Sequence, residues 1–402
     1  MYLKSCDQDQ LRSDYVSDSY TYLGTIDTPA FVIDERVATD RLSRIRTLLH
    51  GSDVEILYSL KALPHIARAI FHAGVDGFSA SSLAEISIAK SATESRPCTL
   101  QYVGSGAKKA QFQEISEFCD RLTCNSFSQL SMANACVSES VSLGLRVNPE
   151  ISFVSDKRYD PCRTDSRLGV PLREVAGNPD LLLTLDGLHI HSNCDSENLD
   201  ELMRTIQALT CLLGDALHAL KWINLGGGYL FSDISKADRL NEAFTKLRST
   251  YGLQLAIEPG AAIAREAAVL VATVIDVVVR SGIAIAILDT TVNHWPEIFE
   301  FQFEPDVRGH TDDGQHTYQL AGCSCLAGDI FGMYSFDEPL EVGSRIVFEN
   351  AGAYSIVKAN MFNGINLPTI YTLTESGELL LTKQFTYADF ASRCGVETRA
   401  TV

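Results

Sequence analysis

The chain has 402 residues, too many for one small core, and its composition of 46% hydrophobic and 21% charged residues is that of a globular protein with a large interior. No apolar run approaches the roughly 20 residues needed to cross a bilayer, so no membrane segment is expected. A formal net charge of −18 argues against nucleic acid as a partner, because phosphate needs a basic surface; it suits a cationic small substrate or simply a solvated acidic exterior.

The opening residues, Met1 to Gln10, lack the basic start and apolar stretch of a signal peptide, which points to the cytoplasm and to reduced thiols for the eleven cysteines. No pair has CxxC spacing, and Cys323-Ser324-Cys325 is too tight for a structural zinc site. Strand-like runs in Tyr20–Asp34 come first. Eight short apolar strands are then expected at Ile56–Lys61, Asp76–Ser81, Leu100–Gly104, Leu122–Ser126, Leu143–Asn148, Leu185–Ser192, Trp222–Gly228 and Gln254–Gly260. Helical spacing fills the intervals at Pro64–Ala73, Ser82–Ala92, Lys109–Asp120, Gln129–Val137, Leu199–Leu213 and Lys236–Tyr251. Eight βα units fit an α/β fold closed into an eight-stranded parallel, TIM-like barrel; an open doubly wound sheet would carry a Gly-rich phosphate turn after its first strand, and none is there.

Beyond Gly260 the texture becomes β-rich, with strands expected at Ala267–Arg280, Ile283–Thr291, Thr317–Cys325, Arg345–Glu349, Tyr354–Lys358 and Leu379–Phe385. The expected organisation is a barrel over residues 28–260 and a second, mostly β domain from 1–27 plus 261–402. No internal repeat is legible, and the tail from Tyr387 carries no signal.

Active sites of such barrels form at the C-terminal strand ends, so the polar residues there are read together. Lys61 ends the first strand and is a candidate Schiff-base amine if burial lowers its pKa, although a lone lysine is more often a surface group. His189 and His191 share one strand face and could flank a flat cofactor, satisfy a core, or ligate a metal with Glu258 and Asp289. Gly226-Gly227-Gly228 can let backbone N–H groups approach a phosphate, or can be a plain turn. Glu258-Pro259-Gly260 places a carboxylate where it can pair with a pyridinium nitrogen. An amine, a flat ring, a phosphate cradle and a counter-ion are the needs of pyridoxal 5'-phosphate (PLP).

From about Thr28 to Leu381 the sequence resembles the fold type III PLP decarboxylases, the ornithine and diaminopimelate decarboxylase superfamily, and most closely the carboxynorspermidine decarboxylases. The resemblance rests on Tyr58-Ser59-Leu60-Lys61-Ala62, Ala80-Ser81-Ser82-Leu83-Ala84-Glu85, Gly187-Leu188-His189-Ile190-His191, Asn224-Leu225-Gly226-Gly227-Gly228 and Glu258-Pro259-Gly260. In the second domain it rests on Cys325-Leu326-Ala327-Gly328-Asp329, Gly352-Ala353-Tyr354 and Phe362-Asn363-Gly364. It implies that Lys61 holds the cofactor aldehyde, His191 stacks on the ring, Glu258 meets the ring nitrogen, and Gly226, Gly227, Gly228 and Tyr354 hold the phosphate. Glu85 and Arg146 would support the lysine and cofactor. Cys325 would enter the partner subunit's site of a homodimer and help protonate the substrate carbon, and Asp329 is a candidate for the substrate's distal amine.

Ala261 and Met333 stand where these decarboxylases place charged residues, including acids that recognise a polyamine. Losing those acids should weaken recognition of a distal ammonium, so the substrate can depart from carboxynorspermidine itself; the expected reaction is α-decarboxylation of a carboxynorspermidine-like or carboxyspermidine-like amino acid to an aminopropyl amine. The alternatives are the same step on a 3-amino-3-carboxypropyl group of a larger product of the microcin C type, a racemase, a non-catalytic PLP-binding regulator, or a metal hydrolase.

Overall fold

The computed structural model describes residues 21–94 and 96–396. Expectations placed on residues 1–20 and 397–402, among them Tyr20 and the start of the β domain, lie outside the described residues. The described chain falls into two compact units, one formed by Val37–Ala264 and the other by the residues up to Arg36 with those from Arg265 onward. The strand Ala30–Asp34 (β1) thus joins the second unit, past the expected boundary at Thr28, because both its edges pair with strands from the far end of the sequence.

The Val37–Ala264 unit is a closed parallel barrel. Its strands are Glu55–Ser59 (β2), Gly77–Ala80 (β3), Thr99–Val103 (β4), Arg121–Cys124 (β5), Ser142–Asn148 (β6), Gly187–Ile190 (β8), Trp222–Asn224 (β9) and Gln254–Ile257 (β10), with the two-residue Val170–Pro171 (β7) appended to β6. Each pairs in parallel with its neighbours, and β10 with β2 and β5 with β6 complete the ring. All eight expected strands form, each close to its expected position.

Helices start where the sequence supplies caps. Ser82 accepts the Glu85 N–H and Ser126 the Gln129 N–H, and in both turns the third helical residue reaches back, Glu85 to the Ser81 N–H (2.7 Å) and Gln129 to the Asn125 N–H (2.8 Å). Helix Leu199–Leu213 buries Leu199, Leu202, Ile206, Leu209 and Leu213 at helical spacing, each burial contributing about 1.5–3 kcal/mol.

At the N-terminal end of the barrel three aspartates repeat one arrangement. Asp76, Asp120 and Asp186 each precede a strand by one residue, and their Oδ2 atoms accept the N–H of Ile56 (2.7 Å), Leu100 (2.8 Å) and Leu143 (2.9 Å) on the neighbouring strand. Above them the Trp222 indole crosses Gly144 and Gly187, where a Cβ would lie 2.3 and 2.1 Å from its ring atoms. Glycine is required there by close approach.

The second unit is a sheet ordered β14-β13-β12-β11-β1-β16-β17, built from Ala268–Arg280 (β11), Ile283–Leu288 (β12), His316–Ala321 (β13), Ile330–Phe336 (β14), Arg345–Phe348 (β15), Thr369–Leu373 (β16) and Leu379–Lys383 (β17). The thirteen-residue β11 pairs with β1 and β15 over its first half and with β12 over its second, the register shifting between Val274 and Asp276. Its core packs Phe31, Leu270, Leu288, Trp295 and Phe331, with Phe331 stacked on Phe348 at 4.5 Å. The strand expected at Tyr354–Lys358 is instead a run of turns, opened by Tyr354 at φ 61°. β14 and β16 were not expected as strands, and the tail holds a helix at Tyr387–Arg393.

Candidate active site

Four of the sequence motifs are joined around the C-terminal end of the barrel by main-chain contacts. The Ser59 N–H donates to the Pro259 carbonyl (3.1 Å), tying the turn that carries Lys61 to the one that follows Glu258. The Glu258 N–H donates to the Gly226 carbonyl (2.7 Å), and the Gly227 N–H donates to His191 Nδ1 (3.2 Å). The glycines are needed for this closeness: a Cβ on Gly226 would lie 2.2 Å from the Ile190 carbonyl oxygen, and one on Gly227 would lie 2.1 Å from that of Glu258.

Glu258 is 4% exposed. Its Oε1 accepts from Asn224 Nδ2 (2.9 Å) and its Oε2 from His189 Nε2 (3.2 Å). Burial alone would raise its pKa, but His189, then Lys61 and His191, outweigh burial and hold the carboxyl down at about 2. His189, wholly buried, is pushed below the usual histidine range by desolvation against the pull of Glu258, so at neutral pH a neutral ring donates its Nε2–H to a carboxylate. Its Nδ1 has no hydrogen-bond partner among the described residues. His191 lies well below the usual range through burial and the positive charges of Lys61 and Arg146; with Nδ1 accepting from Gly227, its proton sits on Nε2. Arg146, opposite His189 in the β6–β8 register, is lowered by burial to about 10 with Glu258 opposing, and stays a cation.

The polar set continues inward. Asn224 Nδ2 also donates to Gln101 Oε1 (2.9 Å), Gln101 Nε2 donates to Thr123 Oγ1 (2.9 Å), and Asn224 Oδ1 accepts the Gly226 N–H (2.8 Å). Gln101 and Thr123 were not among the expected site residues. Their signal was a polar side chain at inward parity in an otherwise apolar strand, as in Leu100-Gln101-Tyr102.

Several expectations need correction. Lys61 is exposed, not buried. Glu85 is half-buried and holds the Ser81 N–H in a helix cap. The N–H groups of Gly226 and Gly227 turn inward to Asn224 and His191, which leaves Gly228 as the member of the run able to offer an N–H to a phosphate. His189 and His191 spend nitrogens on Glu258 and Gly227, and among the described residues no group of three or more His, Cys, Asp or Glu is placed to hold a metal ion. Ala261 is buried in the turn after Glu258, in the helix Ala261–Ala264.

Within the sheet unit, Cys325 is exposed, and its N–H donates to Asn363 Oδ1 (2.7 Å), bringing the Cys325 and Phe362-Asn363-Gly364 motifs together. Asp329 does not offer a free carboxylate to an amine. It is 4% exposed and accepts the N–H groups of Val292 (2.8 Å) and Ser324 (2.9 Å) and the Ser324 hydroxyl, which closes the Cys323–Asp329 loop on itself. Met333 is exposed on β14, its N–H held by Glu304 Oε1 (3.1 Å). Tyr354 is half-buried in its turn.

The barrel-end set fits PLP: a fixed anion with a lone pair left on each oxygen, a neutral imidazole, an accessible amine, and a glycine run with no room for side chains. A family model described as pyridoxal-dependent decarboxylase, C-terminal sheet domain, matches residues 15–352. The chain belongs to the pyridoxal-dependent decarboxylases. This decarboxylase is 33% identical over 387 residues to the carboxyaminopropylagmatine decarboxylase of Synechocystis sp., covering 93% of this chain and 97% of that one. It is 30% identical to the carboxynorspermidine/carboxyspermidine decarboxylase of Campylobacter jejuni, covering 92% and 98%. The solved carboxynorspermidine decarboxylase of Campylobacter jejuni, complexed with norspermidine, superposes with a TM-score of 0.81 at 28% identity over 92% of this chain and all of that one. Diaminopimelate decarboxylase of Helicobacter pylori shares the fold, with a TM-score of 0.80 at 19% identity, over 92% of this chain and 98% of that one. Among the described residues no helix of the decarboxylase is long and apolar enough to cross a membrane.

Proposed function

We propose that the decarboxylase acts on an amine carrying a 3-amino-3-carboxypropyl arm, of the carboxynorspermidine or carboxyspermidine kind, and leaves a primary aminopropyl amine with release of carbon dioxide. The observation that carries the site reading is the Glu258 carboxyl group, held from both sides by Asn224 and His189 on a turn tied to that of Lys61. Relatives named for carboxyaminopropylagmatine and for carboxynorspermidine/carboxyspermidine support the substrate class. They do not favour the larger-scaffold or non-catalytic alternatives.

When bound, PLP supplies the electron sink for the pair left behind as the carboxylate departs. Lys61 would offer the amine that holds the cofactor aldehyde. Glu258 would pair with the protonated ring nitrogen, His191 would present its ring face, and Gly228, with Gly226 and Gly227 shaping the turn, would hold the phosphate. Arg146 and Glu85 flank the cofactor side. Cys325 delivers a proton to Cα from the partner subunit of a homodimer with shared sites, in the cytoplasm. Ala261 and Met333 bring no charge of their own to a distal amine. Each charge-assisted bond to the distal amine is worth about 1.5–3 kcal/mol.

The test is a carbon dioxide release assay over carboxynorspermidine, carboxyspermidine, carboxyaminopropylagmatine, diaminopimelate and ornithine, beside the absorption band of cofactor fixed to Lys61 by borohydride. Turnover of one of the first three, with the band lost in Lys61→Ala, is expected. Preferred turnover of diaminopimelate or ornithine would overturn the substrate class, and a band that survives Lys61→Ala would overturn the site.

A further inference from the structure

The barrel interior beneath Glu258 is polar where an apolar layer would pack as well. Gln101 and Asn224 are fully buried and Thr123 is 1% exposed, yet they form one hydrogen-bonded line from Thr123 to Glu258. Similar-sized apolar side chains would fill the space without the desolvation these amides incur. The line is also directional. The Gly226 N–H can only donate, so Asn224 must turn its oxygen to it; the Glu258 carboxylate can only accept, so Asn224 must turn its NH2 the other way. That leaves a second Asn224 N–H, which Gln101 Oε1 takes, and Gln101 is in turn anchored by Thr123.

We propose that Gln101 and Asn224 are positioning residues for the cofactor's ring nitrogen, fixing Glu258 in the one orientation that leaves a lone pair aimed at that nitrogen. The proposal rests on the reading of Glu258 as the ring-nitrogen partner. With Oε1 held by Asn224 and Oε2 by His189, the carboxylate cannot rotate, and the acceptor is in place before the cofactor arrives. Gln101 acts at one remove: its side chain bonds Asn224 and Thr123 and so holds the plane of the Asn224 amide.

The test uses the full chain, with PLP titrated into apoprotein by absorbance and the bound band followed across pH. Gln101→Leu and Thr123→Val are expected to weaken PLP binding about tenfold, the scale of one buried hydrogen bond. They should also move the pH midpoint of the bound band and lower kcat while leaving the substrate KM unchanged; Thr123→Ser, which keeps the hydroxyl, restores all three. Glu258→Gln is the reference. If it shifts affinity and band while Gln101→Leu and Thr123→Val do not, the positioning assignment is wrong and the reading of Glu258 stands. If Glu258→Gln changes neither, both fall. Should Gln101→Leu fail to fold, Thr123→Val and Thr123→Ser decide the matter alone.

Discussion

Gly227→Ala is the sharpest probe of how the barrel end is assembled. The added Cβ would stand 2.1 Å from the Glu258 carbonyl oxygen and 3.1 Å from its carbonyl carbon. Ordinary contact begins near 3.4 Å, so the two strand ends must part by about 3.4 − 2.1 = 1.3 Å. A shift of that size breaks the Glu258–Gly226 main-chain bond (2.7 Å) and stretches the bonds to Asn224 (2.9 Å) and His189 (3.2 Å). Losing either side-chain bond to the buried carboxylate costs about 1.5–3 kcal/mol, and a displacement of about 1 Å in a positioned group costs on the order of 100-fold in rate. Carbon dioxide release, PLP titration and thermal melting of Gly227→Ala should all fall, whereas Gly24→Ala, with nothing among the described residues within 4 Å of its new Cβ, should match the parent. Native PLP affinity and kcat in Gly227→Ala would refute the reasoning.

Gly187→Ala drives a Cβ to 2.1 Å from the Trp222 indole; a loss of about 3 kcal/mol is expected in denaturant unfolding followed by tryptophan fluorescence, and an unchanged midpoint would show that the indole can move. Asp329→Asn should destabilise the protein by about 1–3 kcal/mol and lower kcat by loosening the loop around Cys325, with no selective rise in KM for longer amines; such a rise would return Asp329 to substrate binding. His294 is fully buried and held at about 4, against an ordinary value of 6.5, by desolvation. It is neutral in the folded protein while the unfolded chain takes up a proton, so its contribution of about 3 kcal/mol is present above pH 6.5 and is lost as pH falls through 4. Melting temperatures across that window should flatten in His294→Gln, and an unaltered slope would refute the assignment. Glu258, lowered to about 2, contributes with the same sign at lower pH: its stabilisation is full above the ordinary carboxyl value and disappears as pH falls toward 2.

The barrel strands were legible because parallel strands buried on both faces are short continuous apolar runs, and Ile56-Leu57-Tyr58 or Trp222-Ile223 can hardly be anything else. The barrel-end residues Lys61, His191 and Glu258 were legible because strand termini announce them. What a glycine run or an acid does is decided by its neighbours in space: the inward turn of the Gly226 and Gly227 N–H groups depends on Asn224 and His191, and Asp329 is satisfied by Val292, which lies well before it in sequence. The sheet was harder for the same reason. β1 lies between β11 and β16, pairings across more than two hundred residues that no local pattern encodes, and β14 was obscured by Gly332 in its middle.

The three aspartates at the other end of the barrel divide its ring unevenly. Asp76 staples β3 to β2, Asp120 staples β5 to β4, and Asp186 staples β8 to β6; before β10 the equivalent position is Leu253, and that doublet has no staple. Stapled seams therefore alternate with seams that lack this aspartate-to-main-chain staple, and the barrel is built as doublets. A chain cut, circularly permuted or recombined between doublets keeps every carboxylate with its own strand partner, whereas a cut inside one separates them. Splitting the protein between β3 and β4, or between β5 and β6, should thus give halves that reassemble better than those from a split between β4 and β5. The end of the barrel remote from Lys61 and Glu258 would then set where the molecule can be taken apart.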